Sequence, residues 1–246
     1  VDETTAAPAA RAWRIVLEKI ESDLLDGRLA PGDRLPGERE LATSLGVGRS
    51  SVREALRVLE VMGLIRTGTG SGPTSGAIII ATPRGGMSAL LRLQVAAQGF
   101  PLDDVVRTRL VLESAVVEAL AEAAAADTTG SATADAHAVL DAMDAPDLTP
   151  AEFLALDAQL HLALAEASGN AVIAAMMAGL RTAIETYVQA GAARISEWDA
   201  AASRLRHEHR AILAAVDAGD AARARTLIHD HITGYYAEAG LARTHD

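Results

Sequence analysis

ERELATSLGVGRSSVREALRVLEVMG, residues 38 to 63, is the stretch whose reading decides the N-terminal fold. ERELATSLG reads as a short helix closed by Gly46. RSSVREALRVLEVMG reads as a second helix, on which Val52, Ala55, Leu56 and Leu59 recur at helical spacing and face inward. Upstream, RAWRIVLEKIESDLLDG (residues 11 to 27) has apolar residues at the same spacing and ends at Gly27 in a C-cap position. Downstream, LIRTGTGSGPTSGAIII (residues 64 to 80) has two β-prone ends around a Gly-rich middle, the pattern of a hairpin.

Helix, two helices around a tight turn, then a glycine-tipped hairpin is the order of a winged helix-turn-helix, in which the second helix of the pair enters the major groove. This module is expected over residues 8 to 81. TPRGGMS, residues 82 to 88, reads as a linker because Pro83 and the Gly85-Gly86 pair interrupt both helix and strand. Beyond it, over residues 89 to 243, stretches of helical periodicity are separated by Gly99, Gly130, Pro146, Pro150, Gly169, Gly191 and Gly219. The expected fold is mainly α, with a small β-hairpin wing and a C-terminal antiparallel all-α bundle of six or seven helices.

The chain has 246 residues, half of them apolar, enough to bury a substantial core. It contains no cysteine, which excludes disulfides, thiolate nucleophiles and cysteine zinc sites. No apolar run reaches the roughly 20 residues of a membrane span, and VDETTAAPAA at the start is acidic rather than signal-like. A cytoplasmic protein without a membrane partner is expected. The net charge of −11 suits a nucleic-acid binder poorly, but the excess acid lies in the helical part. Residues 49 to 66 carry four arginines against two glutamates. Arg49, Arg53 and Arg57 recur every four residues, a stripe able to reach phosphates and guanine edges, with Ser50 and Ser51 adding hydroxyls at the helix start.

Seven histidines are present, and periodicity sorts them. In DAQLHLAL (residues 157 to 164), Asp157 and His161 stand one turn apart on the face of Phe153, Leu160 and Leu164. His209 falls on the stripe of Leu205, Ile212 and Val216, and His231 on that of Ala224, Ile228 and Tyr235; His207 and His229 lie off these stripes. A lone inward histidine is commonly a hydrogen-bonded core residue. Three of them with an acid suit either a polar core or a divalent metal such as Zn, Ni, Mn or Fe, since a buried carboxylate is costly unless paired or metal-bound.

PGDRLPGERELATSLGVGRSSVREALRVLEVMGLI, residues 31 to 65, resembles the winged-helix signature of the GntR family of bacterial transcription regulators. The resemblance implies DNA contacts at Arg39, Arg49, Ser50, Ser51 and Arg53, and at Gly70 on the wing tip. Gly48 departs from the pattern, where many members carry Thr or Ser. LDAQLHLALAEASGN followed by EHRAILAAVDAGDAARARTLIHDHI resembles the FCD ligand-binding domain of the FadR subfamily, many members of which hold a metal through one Asp and three His. Those positions fall on Asp157, His161, His209 and His231. Arg109 and Glu113, one turn apart in RTRLVLE, match the family's Arg and Glu; Arg109 could clamp a carboxylate or simply pair with Glu113.

The implied protein is a homodimeric regulator, a repressor in the commoner pattern, on pseudopalindromic double-stranded operator DNA. Its expected effector is a small organic acid, bound where a six-coordinate metal leaves two positions open. The alternatives are a regulator whose metal is structural or is itself sensed, and a metal-dependent hydrolase-like enzyme. Against the enzyme, the sequence offers no general base beside the ligands and no Ser-His-Asp or phosphate-loop pattern.

Overall fold

The computed structural model describes residues 6–68, 76–80, 83–97, 100–126 and 132–241. The chain divides into two compact units, Val1–Met87 and Ser88–Asp246.

In the first unit, α1 (Ala6–Leu25) packs on α3 (Arg49–Val61), and α2 (Glu38–Leu45) packs on both. The turn from α2 to α3 is made by Gly46 in the left-handed region (φ 65°), which a side chain with a Cβ would resist. Val52, Ala55, Leu56 and Leu59 of α3 are buried against Val16 and Ile20 of α1. Strands β1 (Ile65–Gly68) and β2 (Gly76–Ile79) pair antiparallel, with Ile65 opposite Ile79. The loop before α2 adds to this hairpin: Leu35 N–H donates to Ala77 O (2.9 Å) and Arg34 bridges Ile78. That third edge carries no periodic signal, because two or three residues are too few to show alternation.

The stretch expected as a linker differs. Helix α4 runs Pro83–Ala96, so residues from Pro83 onward are helical. A proline in the first helical turn lacks an N–H that the helix does not need. Gly86 is there for proximity, since a Cβ on it would stand 1.9 Å from the carbonyl oxygen of Met62. At Gly86, one of the two glycines that mark the linker in sequence, two backbones touch.

The second unit begins within α4, which is followed by α5 (Leu102–Ala125), α6 (Ala134–Ala142), α7 (Pro150–Ala167), α8 (Ala171–Ala192), α9 (Trp198–Asp217) and α10 (Ala221–Glu238), six whole helices among the described residues. Helix α7 opens with Pro150 behind a reciprocal capping box of Thr149 and Glu152. Helix α10 opens on Asp220, whose carboxylate accepts from Arg223 N–H. These caps set where the helical phase begins, and with it which side chains turn inward. Phe153 and Leu160 of α7, Leu205 and Ile212 of α9, and Ile228 and Ile232 of α10 form one buried cluster with α5 and α8 residues. Burying each such side chain stabilises by about 1.5 to 3 kcal/mol, which holds the faces of α7, α9 and α10 together. Among the described residues no single helix is long and apolar enough to cross a membrane.

Candidate metal centre and nucleic-acid interface

On the first unit, Arg49, Arg53 and Arg57 lie exposed along α3, Ser50 is exposed at its start, and Arg39 is exposed on α2. Gly48 caps α3 without a side-chain hydrogen bond, and the Ser51 and Val52 amides donate to its carbonyl at 3.0 and 3.2 Å. Ser51 corrects the expectation of a fourth exposed contact on this helix: it is 7% exposed. It stands one turn before Ala55 on the inward face, a phase legible from the spacing. Gly70 lies outside the described residues. Glu38, which no motif reading selected, accepts from Arg53 Nε at 2.8 Å, and Arg49 Nη2 stands 3.9 Å from the same oxygen. Exposed pairs of this kind contribute only about 0 to 1 kcal/mol, so both guanidinium groups can exchange Glu38 for phosphate at little cost.

In the second unit, α7 brings Asp157 and His161, α9 brings His209 and α10 brings His231 to one place. Each offers one ligand atom, and the four atoms lie within 4.8 Å of one another. The ring centroids of His161, His209 and His231 are 4.5 to 5.5 Å apart. All four residues are at most 4% exposed. Asp157 Oδ1 lies 3.1 Å from His209 Nε2, and Asp157 Oδ2 lies 3.9 Å from His161 Nε2.

Two further carboxylates surround these rings. Glu113 of α5 receives Arg109 Nε on one oxygen and brings the other within 2.5 Å of His161 Nδ1. Glu208 of α9 makes an aligned hydrogen bond with His231 Nδ1 at 2.8 Å. By contrast, both ring nitrogens of His161 and of His209 lack an aligned hydrogen-bond partner, so their short approaches to carboxylates are ion-pair distances without hydrogen-bond geometry. Arg109 Nη2 is likewise buried without a partner. Arg109 therefore pairs with Glu113 through Nε and keeps Nη2 without an aligned acceptor, near the Tyr236 hydroxyl.

The electrostatics favour ligation. Burial pushes the His231 imidazole down to about 4, helped by the neighbouring His209 ring. Burial lowers His209 as well. Burial opposes the charge on Asp157, but His209 and the two other imidazoles outweigh it and hold the carboxyl well below the usual range. Burial also opposes the charge on Glu113, which Arg109 and then His161 outweigh, bringing it to about 2. The cluster thus sets an ionised carboxylate beside two imidazoles, His209 and His231, whose protonation burial opposes, and both states suit metal ligation.

Buried polar atoms left unpaired cost roughly 1 to 3 kcal/mol each. A merely structural polar core would leave His161 and His209 at that cost, whereas a divalent cation with a preference for nitrogen and oxygen donors fits the set present. Beside it is a small cavity of about 10 Å³, bounded by Arg109, Asp157, Val188, His231 and Tyr235 among others. That is room for about one water. The Tyr235 hydroxyl donates to Val188 O at 2.5 Å across one wall of it. Among the other histidines, His207 and His229 are exposed, His137 is exposed and paired with Asp217 at 2.8 Å, and His245 lies outside the described residues.

Helical periodicity could not have selected Glu208 as a partner of the buried rings. It lies next to His209 in the chain but reaches a ring on another helix. Glu113 had a local signal in its one-turn spacing from Arg109.

Comparison with known proteins bears on both units. The sequence profile described as "FCD domain" matches residues 104–234, and that described as "Bacterial regulatory proteins, gntR family" matches residues 14–74. The chain is similar to the HTH-type transcriptional regulator LutR of Bacillus subtilis (strain 168), 29% identical over 224 residues, covering 87% of this chain and 97% of LutR. It is similar to the HTH-type transcriptional repressor NanR of Klebsiella aerogenes, 28% identical over 230 residues, covering 89% of this chain and 81% of NanR. Among solved structures, a Streptococcus agalactiae GntR protein matches with a TM-score of 0.56 at 24% identity, covering 90% of this chain and 98% of that one.

Proposed function

We propose, from the premise that this chain belongs to the GntR family of bacterial regulatory proteins and carries an FCD domain, that it is a repressor whose operator affinity is set by a small organic acid bound beside a divalent metal. As a GntR-family transcription regulator it acts by binding rather than by catalysis. In this reading two copies place α3 in the major groove of two operator half-sites, with Arg49, Arg53 and Ser50 at the DNA and Arg39 beside them. NanR, with which the chain shares most of its length, is named a repressor, and this supports the sign of regulation.

The observation that carries the effector half is the convergence of four ligand atoms within 4.8 Å, with imidazole nitrogens that lack aligned partners, beside the buried Arg109 guanidinium. Asp157, His161, His209 and His231 would hold the metal. When bound, it would supply Lewis-acid positions for a carboxylate and an adjacent hydroxyl. Arg109 would donate Nη2 to that carboxylate while Glu113 keeps its guanidinium in place. Burial of the site excludes water from these charges and so strengthens them. For binding to alter operator affinity, the acid must favour one arrangement of the dimer over the other.

The size of the cavity favours a second reading, in which the metal itself is the signal. About 10 Å³ admits an ion or a water but no organic acid unless Val188 and Tyr235 part. One experiment separates the two. The purified chain is analysed for bound metals, and its affinity for a duplex enriched by it from a random pool is measured with metal, with chelator, and with a panel of hydroxy acids. Release by an acid only in the metal-loaded protein supports the first reading. Release by chelator alone, with no response to any acid, supports the second, and absence of bound metal under all loading conditions defeats both.

A further inference from the structure

We propose that Glu208 is a positioning residue of the buried Asp/His cluster: by taking the proton-bearing Nδ1 of His231, it leaves the Nε2 lone pair of that ring for the cluster. Its functional meaning rests on the metal reading above, but its geometry does not.

Adjacent residues on a helix point about 100° apart, so α9 can turn His209 into the cluster and Glu208 toward α10. His209 is 1% exposed, whereas the Glu208 side chain retains 27% exposure at the edge of the unit. From there Glu208 Oε2 meets His231 Nδ1 at 2.8 Å with hydrogen-bond alignment. Its other oxygen accepts from Arg204 Nη1 at 2.5 Å, one turn back on α9, and Arg204 Nη2 pairs in turn with Glu238 of α10. The carboxylate is thus gripped from behind, and the chain of contacts starts and ends on α10.

A neutral imidazole carries one ring proton. Where a carboxylate faces Nδ1, the proton resides there and Nε2 is left as the acceptor or ligand, which is how outer carboxylates orient metal-binding histidines. The other two rings lack this device in the same form. Glu113 comes close to His161 Nδ1 without alignment and is already engaged by Arg109, and His209 has no aligned partner on either nitrogen. An ion network serving only to join α9 to α10 would be complete with Arg204 and Glu238. The extension onto a ring nitrogen of a buried histidine is what assigns Glu208 its role.

The test uses the full chain, stripped of metal and labelled with ¹⁵N, at a pH where the rings are neutral. Long-range ¹H–¹⁵N spectra report which nitrogen of His231 carries the proton, and competition with a chromophoric chelator reports affinity for Zn²⁺. The wild type should show the proton on Nδ1. Glu208→Ala should lose that preference and bind Zn²⁺ roughly 10- to 100-fold more weakly. Glu208→Gln, whose amide oxygen still accepts, should keep the tautomer and most of the affinity, and Glu238→Gln should leave both readouts unchanged.

A wild-type His231 protonated on Nε2 would overturn the proposal, as would Glu208→Ala with unaltered tautomer and Zn²⁺ affinity. If Glu208→Ala does not fold, Glu208→Gln decides: a retained Nδ1 proton supports the assignment and a changed one refutes it. A chain that takes up no Zn²⁺ while its tautomer follows Glu208 supports the positioning role and removes the metal reading instead.

Discussion

Asp157 Oδ1 of α7 and His209 Nε2 of α9 lie 3.1 Å apart in the interior of the helical unit, a separation at which both could share a third atom. Loss of an outer carboxylate from a metal site costs roughly 10- to 100-fold in affinity, so loss of a direct ligand should cost more. Asp157→Ala is expected to lower Zn²⁺ affinity by more than about 100-fold. Duplex binding by the first unit should persist. Unchanged Zn²⁺ uptake in this variant would remove Asp157 from the ligand set.

The metal-free chain should lose stability as the solution is acidified below the ordinary histidine range. His231 is held at about 4 by burial and His209 is lowered too, so the unfolded chain, with histidines near 6.5, binds more protons than the folded one between those values. The stabilisation is complete above about pH 6.5 and is lost as pH falls toward 4. His231 alone should remove about 2 kcal/mol by pH 5. Urea midpoints in chelator at pH 7.5 and pH 5 check this, and His231→Gln should flatten the difference. Equal midpoints at the two pH values would contradict the burial of neutral rings.

Arg109 and Glu113, each 3% exposed, form a buried pair whose separation should be costly. Arg109→Met leaves an ionised carboxylate without its main partner, and should destabilise by roughly 3 to 5 kcal/mol. The double replacement Arg109→Met with Glu113→Met should recover much of that stability yet not the response to organic acids. Recovery of both properties would show that Arg109 is structural and that the acid binds elsewhere.

Arg49→Ala should weaken duplex binding and reduce the slope of log affinity against log salt by about 1, as expected for one lost phosphate contact. Arg53→Ala should do the same or, if it reads a base, weaken the enriched duplex more than a scrambled one. Neither change should alter Zn²⁺ uptake. A salt slope equal to that of the wild type in both variants would place the DNA contacts elsewhere.

Periodicity alone determined which face of each helix turns inward, because that follows from 3.6 residues per turn and from the cost of leaving Leu, Ile and Val in water. On that basis Val52, Leu56 and Leu59 were legible as core, Arg49, Arg53 and Arg57 as a surface stripe, and Asp157 and His161 as inward neighbours on one helix. The same rule, applied strictly, also turns Ser51 inward with Ala55. Local pattern could not reveal what each inward side chain meets. Whether α7, α9 and α10 bring their polar atoms within 4.8 Å depends on how their apolar faces interlock.

The same packing decided that Glu208 reaches a ring on α10 and that the backbone of Met62 comes up against Gly86. It also left a space of only about 10 Å³ beside Arg109. Sequence spacing constrains direction within one helix; distance between helices is set by the side chains of both partners together, and only the folded chain contains that information.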